Sequence, residues 1–152
     1  MVIFTFQHNE CYSAMPCYLH EEGFHSVADA GAVVVSGSQA HFPHIMEFRG
    51  DSFIHYGLGN FFFDQMTYIL PDGQVIDGTR REFIDRHIFY DGRYLGVELL
   101  TTMMEDYSTP RPMTEAERTP FLMEYFTLSG WMPLAPIHIP FPTPTLTPIA
   151  LP

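Results

Sequence analysis

The sequence VVVSGSQAHFP, residues 33–43, decides the expected fold because it joins a buried strand to a turn that carries a histidine. A run of valines favours a strand that is covered on both faces, and the Gly-Ser pair predicts the turn that ends it. Ligands of open α/β sheets bind at the carboxyl ends of the strands. His41 is therefore either a site residue at a strand end or an ordinary loop histidine.

The segments before this stretch predict a β-α-β unit. Residues 2–6 form an apolar strand, residues 9–16 a loop, and residues 20–30 a helix. Apolar residues recur in this helix at near-helical spacing, and Gly31 is a typical C-terminal stop. A strand over residues 32–35 completes the unit.

Two hairpins and a second helix are predicted after it. Residues 44–48 and 52–56 flank the triplet RGD, which we interpret as a tight turn rather than an integrin-binding motif. Residues 82–90 and 94–100 flank DGR, a second hairpin signal. The sequence TEAE then predicts a capping box at the start of a helix over residues 114–130.

Composition limits the classes of protein to which the chain can belong. Its 152 residues, 46% of them hydrophobic, suffice for one domain with a core. A net charge of −11, with arginine as the only basic residue besides histidine, would repel a phosphate backbone, so nucleic acid is not an expected partner. The N-terminus lacks a basic region and no stretch is long enough to span a bilayer, so we expect neither a signal peptide nor a membrane segment.

A second candidate site lies in HNECYSAMPCYLH, where a histidine stands three residues outside each cysteine. His8, Cys11, Cys17 and His20 have the side chains that zinc prefers, although their spacing is not a common zinc pattern. The alternative is a polar loop in which the cysteines act as small hydrophobic residues. Two cysteines alone do not define a disulfide framework.

The last part of the chain differs in character from the rest. Residues 132–152 carry proline at nearly every second or third position, which excludes a helix or a central strand. The segment is either a solvated tether, which we favour, or a docking peptide for an aromatic groove. Residues 1–131 are then the folded portion.

Four ordered motifs resemble the C-terminal part of a known family. They are DAGA at residues 29–32, GSQAH at residues 37–41, Glu47, and YGLGNFFFD at residues 56–64. Their order and spacing are similar to those of the CapA family, bacterial capsule and poly-γ-glutamate synthesis proteins related to calcineurin-like metallophosphoesterases. The resemblance implies an α+β fold, a four-layer α/β/β/α sandwich, of which this chain would be an incomplete C-terminal half.

The resemblance also implies a metal site, from which this sequence departs. In the related phosphoesterases, two divalent ions such as Mn, Fe or Zn clamp phosphate oxygens and activate a water. The family turn carries two histidines where this chain has Gln39 and His41. Another family histidine corresponds to Gln7, with His8 one place later. Because a neutral amide is a poor ligand for a transition metal, we expect a weakened site unless His8 or His44 compensates.

Other residues receive roles from the same resemblance. His41 and Asn60 would act in catalysis, and Glu47 and Asp64 would contact the substrate. The expected partners are a polyanionic polymer or envelope biosynthesis proteins. The expected location is the bacterial cell envelope or the extracellular space. The chain would be hydrolytic only if the complete protein is active. The alternatives are a non-catalytic polymer- or partner-binding member and a nonfunctional fragment.

An arginine-rich run, TRREFIDRH at residues 79–87, could bind an anionic substrate. We favour the simpler interpretation, in which these arginines pair with Glu82 and Asp85.

Deleting residues 133–152 tests the expected tether. Since such a segment cannot add a regular hydrogen-bonded strand, we expect the thermal unfolding midpoint to change little. Thermal denaturation of the full and shortened chains gives the comparison. A large drop in the midpoint would show that the segment is docked on the domain.

Overall fold

Two α-helices and nine β-strands form in the part of the chain that this computed structural model describes, residues 1–107 and 109–131. The elements in chain order are β1 (Ile3–Phe6), α1 (Tyr18–Asp29), β2 (Val34–Gly37), β3 (Met46–Arg49), β4 (Ser52–His55), β5 (Tyr68–Ile69), β6 (Val75–Ile76), a 3-10 helix (Gly78–Arg80), β7 (Arg81–Tyr90), β8 (Arg93–Glu105), β9 (Thr109–Pro112) and α2 (Glu115–Leu128). The expected α+β class is confirmed. The predicted extended segment, residues 132–152, lies outside the described residues.

The first sheet contains the predicted β-α-β unit and the first hairpin. Its strand order is β1-β2-β4-β3, with β1, β2 and β4 parallel and β3 antiparallel to β4. Phe6 of β1 pairs with Gly37 of β2, and Ser36 pairs with His55 of β4. The carboxyl ends of the three parallel strands therefore meet at one edge of the sheet.

Helix α1 covers one face of this sheet. Because neighbouring residues of a strand point to opposite faces, Ile54 and Tyr56 turn toward α1 while Phe53 turns away. Ile54 and Tyr56 pack with Phe24 of α1 in a buried cluster that also contains Ala28, Ala32 and Val35. Burial of this apolar surface holds the helix on the sheet.

The opposite face packs against the second sheet and α2. Strands β7, β8 and β9 form this antiparallel sheet, in that order. Phe53 lies in one cluster with Phe83 of β7 and with Phe121 and Tyr125 of α2. The rings of Phe83 and Phe121 stack with centroids 4.6 Å apart. The described elements thus pack in the order α1, first sheet, then second sheet together with α2. The complete four-layer sandwich stays a prediction.

Some elements differ from the sequence prediction. The capping box of α2 forms as expected, with Thr114 N donating to Glu117 at 2.8 Å. Strand β8 continues to Glu105 and pairs with β9, which the sequence did not predict because it contains Pro110 and Pro112. Proline is tolerated there because β9 is an edge strand. The short β5–β6 hairpin was also missed. No helix among the described residues is long and apolar enough to cross a membrane.

The expected partners of the arginine-rich run are wrong. Arg81 pairs with Glu124 of α2 at 2.8 Å, and Arg86 pairs with Glu98 across the β7–β8 ladder. Sequence neighbours on a strand point to opposite faces, so partners come from adjacent elements instead. Glu82 is buried and accepts from Thr102, and the Asp85 side chain, 4% exposed, pairs with His55. Neither partner is an arginine.

Replacing Tyr125 by Phe tests how α2 is fastened to the domain. The buried hydroxyl of Tyr125 donates to the Pro43 carbonyl at 2.9 Å, and its loss should lower the free energy of unfolding by about 1–2 kcal/mol. Tyr90→Phe, at a side chain that is 74% exposed, is the matched control and should change little. Urea unfolding gives both values. Equal stability of the two variants would contradict this role.

Candidate functional site

The carboxyl ends of β1 and β2 bring two glutamines into contact. Gln7 follows β1 directly, and Gln39 is the second residue after the end of β2. The Gln7 side-chain nitrogen donates to Gln39 Oε1 at 2.7 Å, although the two residues are 32 apart in the sequence. These are the two positions at which the family resemblance implies histidines. The exposed amide pair therefore lies at the edge where ligands of parallel sheets bind.

His41 is held in one orientation by Asn60. Asn60 is buried and its nitrogen donates to the Thr79 carbonyl at 3.1 Å, so its Oδ1 is free to accept. Oδ1 lies 2.7 Å from His41 Nδ1, which assigns the ring proton to Nδ1. The lone pair of Nε2 is then available to a metal ion or to a proton.

His8 is placed differently from His41. Its Nε2 lies 3.1 Å from the Tyr56 carbonyl and its Nδ1 lies 2.8 Å from the Asn9 carbonyl. Carbonyl oxygens only accept, so neither nitrogen directs a lone pair at the Gln7–Gln39 pair. The close approach depends on Gly37, because a Cβ there would collide with the Tyr56 carbonyl and would lie 2.8 Å from His8 Nε2.

Glu10 joins the two strand-end loops. One carboxylate oxygen accepts from the backbone N–H groups of Cys11 and Tyr12, each at 2.7 Å, and the other accepts from the N–H of His41. Burial by itself would raise the pKa of Glu10, but the nearby His44 imidazole and these N–H groups outweigh it and lower the pKa to about 2. The carboxylate therefore stays charged and fixes the backbone of His41.

His44 is the most enclosed imidazole at this edge. It is fully buried, and neither ring nitrogen has a hydrogen-bond partner within residues 1–107 and 109–131. Its Nε2 lies 3.9 Å from Glu10 Oε1, and its ring centroid lies 6.1 Å from that of His8. His44 thus lies close enough to Glu10 to favour the charged carboxylate.

The two cysteines form a disulfide, with Cα atoms 6.0 Å apart. The interpretation of Cys11 and Cys17 as small hydrophobic loop residues is therefore wrong. The sequence separation of six residues did not predict this disulfide, because the sulfurs meet only through the turn of the loop between β1 and α1. His20 lies beside them, with Nδ1 3.8 Å from Cys11 Sγ, and burial together with the His8 and His44 imidazoles lowers its pKa.

Glu47 lies apart from this edge site. Glu47 contacts His25 of α1 and the hydroxyl of Tyr56, on the side of the sheet that α1 covers. Burial and the Glu47 carboxylate raise the pKa of the Tyr56 hydroxyl well above its usual range, so Tyr56 acts as a donor. Asp64 is exposed in the loop after β4. The fold thus groups Gln7, Gln39 and the His41–Asn60 pair at the edge and places Glu47 on the α1 side, while Asp64 directly follows Phe63, whose ring centroid lies 4.3 Å from that of His41.

Sequence reasoning missed Glu10, although a signal for it exists. A carboxylate placed four residues after an apolar strand, beside a histidine, is a candidate for holding the loop at a strand end. Its contact with the N–H of His41 could not be read from the sequence because 31 residues separate the two.

Replacing Glu10 by Gln should weaken the fold in a pH-dependent way. The folded pKa of about 2 lies below the reference value of 4.5, so the stabilisation is complete above pH 4.5 and is lost as the pH falls toward 2. At neutral pH we expect Glu10→Gln to lower the free energy of unfolding by about 2 kcal/mol, and the difference should narrow in acid.

Urea unfolding of both proteins across this pH range measures the effect. Glu22→Gln is the control, since Glu22 is exposed on α1 and surface substitutions usually change stability by less than about 0.5 kcal/mol. A difference that does not vary with pH would exclude the charge of Glu10 as the cause.

Comparison with known proteins identifies the segment that carries this site. Residues 1–65 match the family model of the bacterial capsule synthesis protein PGA_cap. No curated protein matches the chain. The matched segment contains β1 to β4 and every residue of the strand-end site except Thr79. The expected resemblance to the capsule and poly-γ-glutamate synthesis family is therefore confirmed over residues 1–65.

Proposed function

We propose that this chain is part of a capsule or poly-γ-glutamate synthesis protein whose strand-end site binds at most one divalent metal ion. The family match over residues 1–65 supports the biological role. The observation that carries the proposal is the hydrogen bond between Gln7 and Gln39, 2.7 Å long, where a two-metal site would need imidazoles.

The side chains at this edge do not fit a two-metal centre. Neutral amide oxygens bind Mn, Fe or Zn less well than imidazoles do, and Gln39 Oε1 already accepts from Gln7. His8 faces two carbonyl oxygens. His41 Nε2 is an imidazole nitrogen oriented for a metal ion, with Asn60 acting on Nδ1 as the partner that fixes its tautomer.

The remaining assignments extend the same proposal. Asp64 is exposed and able to contact a polymer, and the Glu47 side chain, 32% exposed, is reachable from the α1 side of the sheet. We retain both as substrate contacts and His41 and Asn60 as the reactive pair. The division into a folded portion, residues 1–131, and a tail, residues 132–152, also belongs to the proposal, as does an envelope or extracellular location.

A non-catalytic role in polymer binding is the second candidate, and the same amide pair favours it. Within the hydrogen bond, Gln7 uses a donor and Gln39 uses an acceptor, which leaves the Gln7 oxygen and the Gln39 nitrogen for a ligand. An acceptor and a donor side by side complement the amide groups of a γ-linked polyglutamate. Such binding needs no metal ion.

Restoring the imidazoles tests the proposed metal site. The double variant Gln7→His with Gln39→His should raise the number of metal ions held per chain, because imidazole replaces amide at both strand ends. The measurement is elemental analysis after dialysis against Mn²⁺ or Zn²⁺, with the disulfide intact so that thiolates do not contribute. Gln74→His, in the β5–β6 hairpin region, is the control for simply adding a histidine.

The unmodified chain should retain no more than one ion, and the control should match it. Two tightly held ions in the unmodified chain, or no gain in the double variant, would overturn the proposed site. Polyglutamate binding that persists after chelation and fails in Gln39→Leu would favour the non-catalytic role.

A further inference from the structure

A second group of metal-ligating side chains lies where the loop after β1 meets α1. One ligand atom each from Cys11, Cys17 and His20 lies within 4.8 Å of the other two. His20 Nδ1 is 3.8 Å from Cys11 Sγ, and the ring centroid of His8 is 4.0 Å from that of His20. Two sulfurs and an imidazole are ligands that zinc prefers, and three protein ligands of this kind occur in zinc sites whose fourth position is open.

We propose that reduction of the Cys11–Cys17 disulfide converts this cluster into a zinc site formed by Cys11, Cys17 and His20, and that reoxidation releases the metal. The sulfurs of a tetrahedral zinc site, with Zn–S bonds of about 2.3 Å, lie about 3.8 Å apart, compared with about 2.05 Å in a disulfide. The change requires the two sulfurs to separate by less than 2 Å, about the length of one bond.

The start of α1 orients two of the three ligands. Cys17 is the N-cap of α1, and the backbone N–H of His20 donates to the Cys17 carbonyl at 2.8 Å. Residues three apart in the first turn lie on the same side of a helix, so their side chains face one ion. The helix N-terminus also stabilises negative charge, which favours the thiolate of Cys17.

The third ligand is held by a carboxylate outside the cluster. Glu10 accepts from the backbone N–H of Cys11 at 2.7 Å, which fixes the chain at this cysteine whether or not the disulfide is present. Because Glu10 also binds the N–H groups of Tyr12 and His41, the loop does not depend on the disulfide alone. Cys11 therefore stays near Cys17 after reduction.

The cluster is accessible to an ion from solvent. An open surface pocket of about 440 Å³ is lined by His8, Cys17 and His20 together with Asn9, Tyr18 and Leu19. Because the pocket is open, a water molecule can reach an ion there and complete its coordination. The cluster is separate from the His41 ring, which contacts Asn60 through Nδ1 and packs against the ring of Phe63.

The redox step is balanced by a dithiol reductant. The disulfide gains two electrons and two protons and becomes two thiols, while the reductant is oxidised to a disulfide. Zn²⁺ then displaces the two thiol protons and binds the thiolates. In the reverse direction an oxidised dithiol accepts the two electrons, the Cys11–Cys17 bond forms again, and Zn²⁺ is released.

Cobalt(II) titration of the full chain tests this site, because thiolate-bound cobalt has a charge-transfer absorption that nitrogen or oxygen ligands do not produce. We expect the absorption after reduction with a phosphine, which adds no competing thiol, and its loss when Zn²⁺ is added. The disulfide form should show none. Cys17→Ser should abolish the absorption.

His20→Asn should weaken cobalt binding at least tenfold, since removing even a group that only orients a ligand costs about 10–100-fold in affinity. His25→Asn, on the same helix but bound to Glu47, is the matched control and should keep the wild-type affinity. Circular dichroism follows the fold in parallel. If reduction alone lowers the helical signal, zinc should restore it in the wild type and not in His20→Asn.

Three results would overturn the proposal. They are cobalt binding by the reduced chain without thiolate absorption, equal affinity in the wild type and His20→Asn, and equal binding by the disulfide and reduced forms. A reduced chain that loses its helical signal and does not regain it with zinc would exclude the site as well.

Discussion

The parallel pairing of β1, β2 and β4 is the constraint on which the candidate site depends. It places the residues after Phe6, Gly37 and His55 at one edge of the first sheet, although they come from three distant parts of the chain. The strands approach so closely at this edge that Gly37 has no room for a Cβ beside the Tyr56 carbonyl. Small side chains and backbone contacts thus bring the polar side chains together.

The charged Glu10 carboxylate holds together the loops that the parallel strands bring to this edge. Even partial burial of a carboxylate is unfavourable unless hydrogen bonds compensate its lost hydration, and here backbone N–H groups from both loops supply them. The His44 ring is fully buried, and its Nε2 lies 3.9 Å from Glu10 Oε1, where it also favours the charged carboxylate. The same carboxylate positions His41 for the strand-end site and Cys11 for the cysteine cluster, so one electrostatic contact supports both.

The two faces of the first sheet carry separate polar groups, and this separation limits the functions the site can have. Glu47, His25 and the Tyr56 hydroxyl lie on the α1 side. His55 and Asp85 form a buried contact of 2.7 Å between the first sheet and the second. Alternation along β4 directs His55 and Tyr56 to opposite faces, so neither group joins His41 at the edge. A binding site confined to the edge has few good metal ligands and several amide groups.

The sequence by itself determined the elements whose signals are local. Val34 and Val35 form a strand buried on both faces, the TEAE motif forms the capping box of α2, and the ordered motifs over residues 29–64 lie in the segment that matches the capsule synthesis family model. These features depend on hydrophobic burial, capping and turn chemistry within a few residues, which a sequence displays directly.

Only the tertiary structure decided which polar groups meet. The contacts of Gln7 with Gln39, of Glu10 with the N–H of His41, and of Arg81 with Glu124 join residues 31 to 43 positions apart. The Cys11–Cys17 disulfide is closer in sequence, yet it too depends on how the loop between β1 and α1 turns. Hydrogen bonds and disulfides require matching positions within a few ångströms, and those positions are set by strand register and packing rather than by residue type.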